Sequence, residues 1–98
     1  MDLQFTGELW YWRGPAPFYF VRIPPAECEM LHAVSRFVTY GWGMIPVTAQ
    51  VGDTEWQTSL FPKDGGYLLP VKASVRRAEN LEVDAPVPVL MTVPGIAI

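Results

Sequence analysis

His32 is the only histidine of this 98-residue chain. A Ser-His-acid relay would need Ser35, Ser59 or Ser74 to meet it, and no Gly-x-Ser-x-Gly elbow frames any of these serines. Thr58 and Ser59 fall on opposite faces of an extended segment. Thr58 is the one that would line an interior or groove with Trp56 and Leu60, although its hydroxyl equally suits a turn cap or a cross-strand pair. A hydrolase would have to use Thr58 or Ser59 with His32. His32 itself falls on the polar side of a helix with Arg36 one turn later, where a solvated histidine is expected. Cys28 has no second cysteine for a disulfide or a Cys-x-x-Cys motif, and reads as a buried apolar thiol. No two of His, Cys and carboxylate fall at ligand spacings, so neither metal nor cofactor is expected.

Positive charge is more concentrated. Lys63, Lys72, Arg76 and Arg77 are four of the seven cationic residues. Lys72 with Arg76 or Arg77, four and five residues on, could hold a carboxylate or phosphate. The alternative is a solvated basic helix pairing with Glu79, Glu82 or Asp84. Four tryptophans add ring faces able to stack on sugars or bases or to close an apolar pocket. Trp56 reads as core filling or pocket wall, and Trp42, between two glycines, as a plug or a lid. Trp10 and Trp12 fall opposite the core face of their strand and need cover from elsewhere.

Half the residues are hydrophobic and the charged fraction is 17%. A chain of this size builds one core, so residues 1–98 form a single domain. Ten prolines and eight glycines favour short strands broken by turns over long helices. A net charge of −3 opposes general attraction to phosphate, which makes nucleic acid an unlikely partner. The amino terminus lacks the apolar run of a secretory signal, and no segment is long enough to span a bilayer. A soluble cytoplasmic protein is expected, without membrane contact, as a monomer or weak homodimer.

The elements that must position these groups follow from periodicity. Residues 3–13 alternate with period two, the odd face (Leu3, Phe5, Leu9) toward the core. Gly14-Pro15-Ala16-Pro17 is a turn, and Phe18 to Ile23 is a strand pairing back onto the first. Pro25 opens a helix to residue 38 whose apolar stripe is Met30, Leu31, Val34, Phe37 and Val38. Residues 44–51 and 54–61 form a hairpin about Gly52-Asp53, with positive φ at its tip. Pro62 to Gly66 is a turn, 67–71 a strand, 72–79 a two-turn helix and 87–93 the last strand. In that strand Pro86, Pro88 and Pro94 share parity, so one of its edges should lack a continuous ladder. Both halves thus read strand, strand, helix, strand. That order predicts a mainly β fold: one small closed barrel of about six strands with a helix at each end, the halves related by a pseudo-two-fold axis.

Gly41-Trp-Gly-Met-Ile-Pro-Val47, Trp56-Gln-Thr-Ser-Leu-Phe-Pro62, Gly66-Tyr-Leu-Leu-Pro-Val-Lys-Ala73 and Val75-Arg-Arg77 resemble the bacterial DUF1905 family over nearly the whole chain. The resemblance implies a double-split β-barrel capped by helices, related in fold to swapped-hairpin proteins of the AbrB and MazE type, and implies no established activity. Residues 69–89 are also similar to the AbrB-type hairpin, but Asp84-Ala85 stands where that hairpin has Gly-Asp, which predicts a turn without positive φ. The expected function is that of a non-enzymatic binding module for a small molecule or protein partner. The candidate contacts are Trp42, Trp56, Thr58, Lys72, Arg76 and Arg77. An AbrB-like nucleic-acid binder using Lys72, Arg76 and Arg77 is the alternative from another class, and a small hydrolase a third.

Overall fold

Alternation of apolar and polar residues makes the first strand. In β1 (Asp2–Arg13) Leu3, Phe5 and Leu9 are buried and their even-numbered neighbours from Asp2 to Glu8 are exposed. β1 turns back into β2 (Pro17–Arg22), which leads to α1 (Pro25–Val38). β3 (Ile45–Val51) and β4 (Thr54–Lys63) form the second hairpin, followed by β5 (Gly66–Pro70), α2 (Ala73–Glu79) and β6 (Pro86–Thr92). The computed structural model describes residues 1–14 and 17–96. The turn expected at Gly14 to Pro17 therefore falls partly outside the described residues.

The six strands close into a barrel in the order β1-β2-β5-β4-β3-β6, every neighbouring pair antiparallel. Exchanging the two halves, β1 for β4, β2 for β5 and β3 for β6, leaves this order unchanged. The backbone keeps the symmetry in detail. Ile23 N donates to Tyr67 O (3.3 Å) and Val71 N to Tyr19 O (2.9 Å), each bond being the other moved by 48 positions. Cys28 N to Pro24 O and Arg76 N to Lys72 O (both 3.0 Å) are a second such pair at the two helix starts. Because β2 and β5 lie side by side and antiparallel, the helices that follow them start at opposite ends of the barrel, as the repeated element order predicts. No helix is long and apolar enough to cross a membrane.

Proline sets where the barrel splits. Val93 N donates to Met1 O and Leu9 N to Ala85 O. Odd residues of β6 therefore face β1, and even ones face β3. The β1 ladder runs the full length of β6, whereas β3 pairs only with 90–92. Two residues beyond Gln50↔Leu90, Gly52 would meet Pro88, and two beyond Thr48↔Thr92, Pro46 would meet Pro94. Neither Pro88 nor Pro94 has an N–H to give. The expected open edge thus exists over 86–89 and closes over 90–92.

The barrel interior holds Leu9, Val21, Ile45, Leu60, Leu69, Val87, Val89 and Met91, all almost wholly buried. Three expectations need correction. In α1 the buried residues are Cys28 and Leu31, with Val34 and Val38 packed beside them, while Met30 and Phe37 are 46% and 67% exposed. The helix touches the barrel along a narrow line, and those two lie roughly 100° round from it. β4 continues through Pro62 to Lys63, so its turn is only Asp64-Gly65, both with positive φ (52° and 80°). Asp84 takes φ 67° without being glycine. Aspartate tolerates the left-handed region better than most residues, and the backbone here is fixed by Asp84 N donating to Leu9 O (2.8 Å).

Candidate functional site

Val71 leaves β5 fully inside the core, and Lys72, extended at φ −66°, turns the chain into α2. Val75 is the buried residue that anchors this short helix. Lys72 and Arg76, one turn apart, then share a cleft with β1 and β2. The Arg76 guanidinium carbon lies 3.6 Å from the centroid of Tyr19. Tyr19 in turn packs on Tyr11, centroids 4.8 Å apart, since the two are directly paired across the β1–β2 hairpin. Tyr11, Phe18, Tyr19, Val71, Lys72 and Arg76 line a cleft of about 600 Å³. Arg76 Nε is buried and finds no hydrogen-bond partner among the described residues. A donor in that state costs desolvation without return unless something accepts from it.

The symmetry-related place, where α1 leaves β2, is built differently. Cys28 occupies the position of Arg76, and its Sγ–H donates to Ile23 O (3.3 Å). His32 Nε2 is 2.8 Å from Gly65 O, and its ring lies 5.0 Å from that of Tyr67, the counterpart of Tyr19. Burial pushes the Tyr67 phenol above its ordinary value of 10.0, with a lowering from the Ser35 hydroxyl and a further raising from Cys28. The space here is divided: a cleft of about 370 Å³ at Cys28 carries Glu29 and Asp64 on its rim, and one of about 460 Å³ lined by Arg22, Pro24, Lys63, Asp64 and Tyr67 holds most of the positions equivalent to the Lys72–Arg76 cleft.

Of the sequence candidates, Lys72 and Arg76 are brought together and the others are not. Arg77 is exposed on the next position of α2, and Glu79 accepts from the Thr54 hydroxyl at 2.6 Å, which ties the end of the helix to the β3–β4 hairpin. Trp56 is core: 6% exposed, with its indole N–H donated to Pro70 O at 3.1 Å. Trp42 is 94% exposed and plugs nothing. Thr58 is half-buried in a separate groove of about 380 Å³ with Pro46, Ser59 and Pro94, at one end of the split seam. Ser59 bonds the Tyr40 hydroxyl, and Ser35 donates to the backbone carbonyl of His32. Of the hydroxyls named for hydrolysis, Ser59 and Ser35 thus have other partners, and the His32 ring faces Gly65. Among the described residues no group of three metal-ligating side chains forms.

Tyr11, Phe18 and Tyr19 were absent from the sequence candidates. The signal was available in the parity of the hairpin, since Tyr11 opposite Tyr19 follows once Leu9 is set opposite Val21. Trp10 and Trp12 find their cover in each other's neighbourhood. Phe20 is buried beneath them, its centroid 6.3 Å from Trp10, 6.5 Å from Trp12 and 5.9 Å from Phe61. Arg22 lies 4.2 Å over Trp10 and Lys63 5.3 Å over Trp12.

A family model described as a domain of unknown function, DUF1905, matches residues 5–91. The chain belongs to the DUF1905 family. The match takes in all of the barrel except the ends of β1 and β6, together with both helices and the Lys72–Arg76 cleft. No curated protein matches the chain. What the DUF1905 barrel does must therefore be read from its own geometry.

Proposed function

We propose that this DUF1905 domain is a binding module that takes a small molecule in the cleft between β2 and α2. The observation that carries the reading is Arg76: its guanidinium is stacked on Tyr19, and its Nε–H is buried with no acceptor among the described residues. A concave, aromatic-walled cleft with a few polar groups is the usual form of a small-molecule site, and about 600 Å³ is ample for one. Duplex DNA suits the chain poorly. The net charge is −3, and Glu29 stands in α1 where α2 has Arg77, so only α2 carries a net positive charge.

A thermal-shift screen of a metabolite library tests the reading, because a ligand selective for the folded state raises the midpoint. Ligands of this cleft should stabilise the wild-type and Cys28→Ala proteins alike and lose their shift in Arg76→Met. Hits that shift all three proteins equally would place binding elsewhere and overturn the proposal.

A further inference from the structure

We infer that the ligand of this cleft is a small aromatic carboxylate, an inference that rests on the cleft being a small-molecule site. The lining residues carry two charges, Lys72 and Arg76, both positive, and no acid. Among the backbone donors beside them, Val71 N donates to Tyr19 O, Arg76 N donates to Lys72 O and Pro70 has no N–H, which leaves only the uncapped first turn of a seven-residue helix. The charged donors of the cleft are side chains. The unmet Nε–H of Arg76 with a neighbouring terminal N–H forms the planar fork that a carboxylate accepts through both oxygens. A phosphate is ordinarily cradled by several backbone N–H groups of a glycine-rich loop, and the lining contains no glycine. One face of Tyr19 is taken by the guanidinium. Phe18, half exposed at 48%, and Tyr11 remain to pack against a ligand ring. In the first half Cys28 stands at the position of Arg76 with its thiol bonded to Ile23 O, and the cations of the equivalent cleft, Arg22 and Lys63, lie over Trp10 and Trp12 beside Asp64.

The test is calorimetric titration of the full chain with benzoate, its neutral isostere benzamide, acetate and phenyl phosphate. Amide NMR shifts of Tyr19 and Val71 locate each binding event. Benzoate should bind at these residues at least about tenfold more tightly than benzamide or acetate, the scale of a charge-assisted bidentate pair. Arg76→Met, which keeps a long side chain over Tyr19, should erase that preference and leave benzamide affinity unchanged. Arg76→Lys, with charge but no fork, should recover only part of it. Far-ultraviolet dichroism and the thermal midpoint establish that each variant is folded. Benzamide binding at Tyr19 as tightly as benzoate would overturn the anion inference and leave the cleft reading standing. Phenyl phosphate binding about tenfold more tightly than benzoate would overturn the choice of carboxylate. Shifts from no compound at millimolar concentration would overturn the aromatic-carboxylate inference, while a library hit lost in Arg76→Met would still uphold the cleft.

Discussion

The two places where a helix leaves the barrel share one backbone and differ in almost every side chain. Ile23 and Val71 make equivalent hydrogen bonds, and Tyr67 and Tyr19 present equivalent rings beneath the helix. Around that common frame Pro24, Cys28 and Gly66 of one end correspond to Lys72, Arg76 and Phe18 of the other. Gly66 lets the Cys28 thiol come close, since a Cβ there would lie 3.3 Å from Sγ. The thiol then finds a local acceptor, and the space around it is divided between a cleft with Glu29 and Asp64 at its rim and a second that carries Arg22 and Lys63 beside Asp64. At the other end a long guanidinium spreads over Tyr19, leaving a larger cleft lined by cations and an unmet donor. Symmetry supplies two equivalent places where a helix leaves the barrel, and the substitutions leave a bonded thiol at one and an unmet donor at the other.

The equivalence can be broken hardest in the outer strands. The β1–β2 and β4–β5 registers place Gly7 and Thr58 at corresponding positions, and Leu9 and Leu60 likewise. A Cβ at Gly7 would meet Arg22 O at 2.1 Å and Val21 Cγ1 at 2.8 Å. Gly7→Val should therefore cost about 4 kcal/mol or more, or prevent folding, whereas Thr58→Val in its open groove should cost less than about 1 kcal/mol. Urea unfolding of the two variants measures the contrast. Equal tolerance would mean that β1 and β4 are interchangeable where the structure makes them differ.

Leu9 and Leu60 are both 0% exposed. Each, changed to alanine, should lose about 3 kcal/mol, and the two losses should agree within about 1 kcal/mol. Chemical denaturation decides it, and a wide disparity would show that the halves contribute unequally to the core. A smaller effect separates Trp56 from its counterpart Phe5, which needs no hydrogen bond. Trp56→Phe removes the donor to Pro70 O at a cost of about 1–2 kcal/mol, while Phe5→Leu acts through packing alone. Loss of the Trp56 contribution should also quench most of the buried, blue-shifted tryptophan emission.

The smallest effect is a pH dependence confined to the first-half joint. The folded phenol of Tyr67 ionises at higher pH than the free group, chiefly because of burial. The unfolded chain therefore gives up this proton first as pH rises. Stability from this source is fully present below the ordinary value of 10.0 and is lost as pH climbs from there through the folded value. Urea midpoints across that alkaline range should fall less steeply in Tyr67→Phe than in wild type, and an unchanged slope would remove Tyr67 as the cause.

Much of this was legible in the chain. Period-two alternation gave the faces of β1, β3 and β6, proline and glycine marked the turns, and Pro25 with the following apolar spacing placed α1 between the residues it occupies. The proline parity of β6 foretold the open seam. The α1 stripe misled at Met30 and Phe37 because hydrophobicity is read from the residue, while burial depends on how narrow a line the barrel offers. Asp84 misled because a residue's preference for negative φ yields to a backbone bond to the neighbouring strand β1. The candidate site was half legible: Lys72 and Arg76 share a helix face by spacing alone, but Trp42 and Trp56 are equally aromatic in sequence, and one is solvent-exposed while the other is core.

Local sequence thus determined the strands, both helices, the hairpin partners and the pairing of Lys72 with Arg76, since each depends on contacts a few residues apart. The tertiary structure alone decided that β2 lies beside β5, which brings Tyr19 under Arg76 and Tyr67 under α1. That pairing joins segments some 48 positions apart, and neither periodicity nor turn chemistry acts over such a distance. It is fixed by closing the barrel so that both buried faces meet in one core and the open sheet edges are largely consumed. Which aromatic stands beneath which cation is a consequence of that closure, and so is the one cleft where a buried donor is left without an acceptor among the described residues.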